Sequence, residues 1–114
     1  MIFSIGDHIA MIIHGEKTQT RRQSHRYNVG SLISIQPHRG HLGITVGKIR
    51  ILRKWMEDEY YDFISKEDAK AEGGYTPEEY EKLYSRMYGT WNQRWAYEFE
   101  FVPNCTQEAK QDAS

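Results

Sequence analysis

One cysteine, Cys105, stands in 114 residues. A disulfide within the chain and a four-cysteine zinc site are therefore excluded, and a lone thiol fits a reducing compartment. Long apolar runs are missing as well. The longest spans 9–13, far short of the ~20 residues a membrane span needs. No basic stretch leads into an apolar one at the N-terminus, so no secretory signal and a cytoplasmic location are expected. Internal repeats are absent. The length is that of one ordinary domain, with room for a core and none for a second domain.

Acidic residues are scarce in the first half. Residues 1–54 carry nine Lys and Arg against two acids, a net of +7, whereas 55–114 carry six against fourteen, a net of −8. The whole chain sums to −1. A basic half points to a phosphate-bearing partner; the alternative is that the two halves neutralise each other when folded.

The pattern of residues gives an order of elements. A short apolar strand is expected at 1–4. Asp7 can cap a helix over 8–14, ended by Gly15 in a left-handed turn. The Thr-rich stretch 17–22 suits an extended chain. A turn at 27–30 leads into a strand over 31–36, stopped by Pro37, with a tight connection at 38–41. Leu42, Ile44 and Val46 alternate, then Ile49 and Ile51 resume on the other parity; a bulge near Gly47 would explain the slip and bend the strand. Ser65 can cap a helix over 66–72, broken by Gly73 and Gly74. Thr76-Pro77-Glu78-Glu79 reads as a capping box with Pro at the first helical position, and Tyr80, Leu83, Tyr84 and Met87 make one buried face. Trp95, Tyr97, Phe99 and Phe101 alternate with Ala96, Glu98 and Glu100, a half-buried strand with an aromatic inner face. Residues 104–114 are polar without periodicity, and a disordered tail is expected there. The sum is an α+β domain over 1–103, a small β-barrel decorated by about three helices.

Candidate chemistry concentrates in 15–22. In an extended chain Thr18, Thr20 and Arg22 point one way and Lys17, Gln19 and Arg21 the other. At a helix-to-strand junction this parity can bend, bringing Lys17 toward Thr20. A lysine beside a threonine hydroxyl is a base and nucleophile pair if burial or neighbouring cations depress the lysine. Arg21 and Arg22 are such cations.

The pattern Gly15-x-Lys17-Thr18-x-Thr20-x-Arg22 resembles the motif of ASCH domains, which have a PUA-like barrel fold. The resemblance extends to the Gly30 turn, the strand at 31–36, the helical insertion and the closing aromatic strand. Within that family the site is most similar to small amidohydrolases that deacylate N4-acetylcytidine. The resemblance implies Thr20 as nucleophile, Lys17 as base and Glu72 as acid and base, with Glu67 the fallback for Glu72. Arg22, Thr18, Arg21 and Trp95 are then expected on the substrate, a small nucleoside. No metal and no cofactor is implied; the zinc deaminase pattern needs a paired Cys-x-x-Cys that one cysteine cannot supply. A monomer is expected.

The bland readings stand beside these. His38 and His41 are expected to be exposed turn residues, and His14 to face its helix's negative pole. Trp95, Tyr97 and Phe99 are core before they are stacking platforms, and Tyr60 and Tyr61 sit in an acidic loop. The alternative function is an RNA-binding module, or ribonuclease, using the same basic cleft. An isoelectric point near 6.5 favours the small-molecule enzyme.

Overall fold

In the computed structural model, residues 1, 3, 7–36, 47–59 and 63–103 are described. The elements run α1 (His8–Ile13), β1 (Gln19–Arg22), β2 (Leu32–Ser34), β3 (Gly47–Asp58), α2 (Lys66–Gly73), α3 (Pro77–Tyr88) and β4 (Gln93–Pro103). The four strands form one antiparallel sheet in the order β1-β4-β3-β2. The expected connection at 38–41, the alternation of Leu42, Ile44 and Val46, the pair Tyr60 and Tyr61, and the tail at 104–114 lie outside the described residues.

Local signals account for the helices. The Ser65 hydroxyl accepts from the Asp68 N–H, and Gly74, at φ +82°, ends α2. Thr76 and Glu79 form the reciprocal capping box, with Pro77 opening α3. Each cap contributes about 1 kcal/mol. At α1 the expectation needs correction. Asp7 adopts helical dihedrals and makes no side-chain cap bond, because its carboxylate must stand off the first turn, in the extended conformation, to cap it. On α3, Tyr80 and Tyr84 are buried but Met87 is 47% exposed; the neighbours Tyr88 and Trp91 close that end instead.

Both faces of the sheet are covered. Tyr97, Phe99, Ile49 and Ile51 pack on one side with Met1, Phe3, Ile12 and Ile35. The first residues join this layer through backbone bonds between Phe3 and Gln36 and between Gln36 and Met1. Burying each isoleucine contributes about 2 kcal/mol before ordering entropy is charged against it. On the other side Ile64, just before α2, packs with Ala69 of α2 and with Tyr80 and Tyr84 of α3. Ala96, expected to face outward, is therefore fully buried. A bulge falls at Leu52, where register shifts between Ile51 and Arg53, while from Gly47 to Ile51 the strand pairs in step with β4; the register before Gly47 lies outside the described residues. Gly47 answers to crowding. A Cβ there would meet Phe101 Cε1 at 2.8 Å and the Val102 carbonyl at 2.9 Å.

Candidate functional site

The basic motif is held where three elements meet. Gly15 turns the chain at φ +78°, and the Met11 carbonyl accepts from the N–H groups of Glu16 and Lys17. Thr18 then donates its N–H to Ala71 of α2 (2.8 Å) and accepts from Phe99 of β4 (2.9 Å), which launches β1 along the edge of the sheet. These bonds fix the backbone of Lys17 and Thr18 before any side chain acts.

Lys17 is 2% exposed. Its Nζ donates to the Gln19 carbonyl (2.9 Å), the Glu72 carbonyl (2.6 Å) and Glu72 Oε1 (3.0 Å). Burial pulls the Lys17 pKa below its usual range against the pull of Glu72, and the charges of Arg22 and Arg21 push the same way as burial. Glu72, at the end of α2, is equally buried, and its second oxygen accepts from Arg21 Nη1 (2.9 Å). Two residues 55 apart in sequence thus form one buried ion pair.

Arg21, expected on the substrate, lies wholly inside. It grips Glu57 with Nε and Nη2 (2.9 and 2.8 Å), and also reaches Gln19, Glu72 and Asp68. Glu57 in turn accepts from Arg94 and Trp55, and Arg94 binds Glu81 with both terminal nitrogens. Burial alone would raise the Glu57 carboxyl; the bonds and charge of Arg21, joined by Arg94, outweigh it and hold the pKa low. Arg94 is fully buried, with its guanidinium 4.0 Å from the centre of the Trp91 ring and 4.8 Å from that of Tyr84. Desolvated charges of this kind persist because each is paired and hydrogen-bonded.

Thr20 and Arg22 occupy the other face of β1, as the alternation requires. Thr20 is 4% exposed, and its Oγ accepts from Arg22 Nε at 3.1 Å. The Arg22 guanidinium lies 4.9 Å from the Phe3 ring centre, and Lys17 Nζ approaches the same ring at 5.9 Å. Phe3 is thus one ring approached by both cations, while the Lys17 ammonium bonds to Gln19 and Glu72 and the Thr20 hydroxyl to Arg22. Thr18 is half-buried beside them. Trp95 pairs with Arg22 across the sheet, half-buried, with Lys54 Nζ 5.1 Å from its ring centre and His25 at 5.9 Å. Glu67, the fallback for Glu72, is exposed on α2.

Sequence reasoning passed over His8 and Tyr75. His8 is 6% exposed, and its Nε2 lies 2.8 Å from Tyr75 Oη. Burial, helped by the Lys17 charge, lowers the imidazole pKa to about 4, so the ring is neutral at pH 7. Burial likewise raises Tyr75, which stays protonated. Gly73 makes the room: at φ +148°, a Cβ there would stand 3.0 Å from both His8 Nε2 and Tyr75 Cε2. The available signal was His8 four residues before Ile12, one polar ring on the inward stripe of α1. Among the described residues, no three His, Cys, Asp or Glu side chains converge as metal ligands, and no helix is long and apolar enough to cross a membrane.

No family model and no curated protein matches the sequence. Solved structures do match the fold. An ASCH domain from Lactobacillus crispatus JV V101 aligns with a TM-score of 0.65 at 17% identity, over 87% of this chain and 72% of that one. A protein from Enterococcus faecalis V583 aligns at 0.66 and 17% identity, over 88% and 69% of the two chains. A tyrosine-to-phenylalanine variant of the ASCH protein from Zymomonas mobilis aligns at 0.61 and 15% identity, over 96% and 78%. The chain therefore has the ASCH-type, PUA-like α+β fold. At these identities the likeness speaks for the fold and leaves the chemistry to the site.

Proposed function

We propose that this chain is an amidohydrolase that removes the acyl group from N4-acylated cytosine nucleosides, N4-acetylcytidine among them. The observation that carries the reading is the Lys17–Glu72 pair, buried at 3.0 Å, on the same aromatic ring as the arginine that binds the Thr20 hydroxyl. A desolvated lysine next to a carboxylate can give up its proton and serve as a base.

The cycle closes with these three side chains and water. Lys17 passes a proton to Glu72. The neutral amine takes the Thr20 proton as Oγ attacks the amide carbonyl carbon, and Arg22 with nearby backbone N–H groups stabilises the oxyanion. The C–N bond breaks, N4 receives the proton from Glu72, and cytidine leaves an acyl ester on Thr20. Glu72 then takes a proton from water, whose oxygen attacks the ester. Thr20 leaves with a proton from Lys17, and Glu72 returns its proton to Lys17. The products are cytidine and a carboxylic acid. Neither step calls on a metal or a cofactor. Thr18 and Trp95 flank the substrate, while Arg21 acts from behind Glu72.

Chromatographic assay on N4-acetylcytidine tests the reading. Wild type should release cytidine, and Lys17→Ala or Thr20→Ala should lose at least about a hundredfold in kcat. An inactive wild type, tried with several acyl groups, would refute it. One feature favours RNA binding as the second reading. His25, Lys54 and Trp95 cluster, and beside them Arg26 covers Tyr27 at 4.9 Å, an array suited to phosphates and bases. RNA affinity falling steeply with salt, without turnover, would establish it.

A further inference from the structure

Glu72 has both carboxylate oxygens engaged by cations, Lys17 on one and Arg21 on the other. With each oxygen tied to a cation and one of them committed to protonating N4, recognition of the rest of the nucleobase falls to another group. The group that stands beside them is Tyr75. It follows Glu72 across the Gly73–Gly74 turn, is half-buried rather than sealed, and is fixed by His8 Nε2 at 2.8 Å and by the edge of the His8 ring. His8 lies on α1, whose Met11 carbonyl accepts the Lys17 N–H, so the His8–Tyr75 bond joins the element that holds Lys17 to the turn that follows Glu72. Gly73 serves this arrangement: the three atoms nearest a Cβ there belong to His8 and Tyr75.

We infer that Tyr75 is a specificity-determining residue, whose hydroxyl donates a hydrogen bond to the pyrimidine N3 next to the scissile N4, and that His8 is the positioning residue that aims it. The inference rests on the amidohydrolase reading. Cytosine offers an acceptor at N3 adjacent to the exocyclic amine. A donor there holds the base in register and stabilises electron density that moves into the ring as the C–N bond breaks. For the Tyr75 proton to point at N3, the Tyr75 oxygen must itself accept from His8, so His8 carries its proton on Nε2. A neutral imidazole supplies that donor without adding a second cation beside Lys17. A site built to satisfy a polar group discriminates strongly against an analogue lacking it.

The experiment pairs a substrate change with a side-chain change in the full chain. Steady-state kinetics are measured for wild type and Tyr75→Phe on N4-acetylcytidine and on its 3-deaza analogue, which has carbon in place of N3. Wild type should prefer N4-acetylcytidine by a factor of about ten to a hundred. Tyr75→Phe should lose that factor on N4-acetylcytidine and change little on the analogue. His8→Gln, whose amide can still donate to Tyr75 Oη, should retain more of the preference than His8→Leu. Nitrogen-15 NMR of the wild type near neutral pH should show the His8 ring protonated on Nε2. Equal losses on both substrates, an undiminished preference in Tyr75→Phe, or a proton on Nδ1 would overturn the inference while leaving the amidohydrolase standing. A wild type inactive on both substrates would overturn the amidohydrolase and this inference with it.

Discussion

Acidification should destabilise this fold through one histidine. Unfolded, the His8 imidazole titrates near 6.5; folded, near 4. Between those values the unfolded chain carries a proton that the folded chain does not, so each step down in pH favours unfolding. Below about 4 both states carry it and the loss is complete. Each pH unit of displacement is worth about 1.4 kcal/mol, which bounds the loss at about 3 kcal/mol. Solvent screening and local relaxation reduce this, so about 1–2 kcal/mol is the expected size. Urea melts at steps from pH 7 to pH 4, on wild type and His8→Gln, isolate the effect from the carboxylates common to both. Wild type should lose about 1 M more in midpoint than the variant over that range. Two curves that fall in parallel would refute the reasoning, because they would mean the ring folds with its proton on.

Glu57→Gln should cost about 3–5 kcal/mol, seen as a collapse of the urea midpoint, because it leaves the buried guanidiniums of Arg21 and Arg94 without their shared carboxylate. Gly73→Ala should cost about 2 kcal/mol and disturb the His8 and Tyr75 resonances, whereas Gly74→Ala, at φ +82° with open space around it, should cost about 1 kcal/mol and leave them in place. Turnover of N4-acetylcytidine should change less than about twofold between low and moderate salt, since a neutral nucleoside releases no counterions.

Features set by neighbours in sequence were legible in advance. The capping box at Thr76 and Glu79, the αL stop at Gly74 and the buried Tyr97 and Phe99 of β4 each follow from a few adjacent residues. The pairing of Lys17 with Glu72 came from resemblance to a family motif, since periodicity carries no information across 55 positions. The rest depends on register. Glu57 meets Arg94 only because β3 pairs with β4 after the extra residue at Leu52, and a one-residue slip of β3 would turn Glu57 to the opposite face from Arg94. Ala96 read as an outward position because alternation describes one covered face, whereas α2 and α3 cover the second, where Arg94 is buried as well. Arg21 looked like a substrate ligand because a basic motif does not announce that four acceptors will surround it. His8 was hidden for the opposite reason: one histidine on a helix stripe has no pattern until Tyr75 arrives from a distant turn.

The most direct test is to look for the acyl group on Thr20. Wild type and Thr20→Ala are mixed with N4-acetylcytidine, quenched in acid during turnover, and measured by intact and peptide mass spectrometry. The account predicts one added acetyl group on wild type, mapped to Thr20, and none on the variant. Cytidine released with no acylated protein, or with the acetyl group on another residue, would contradict it.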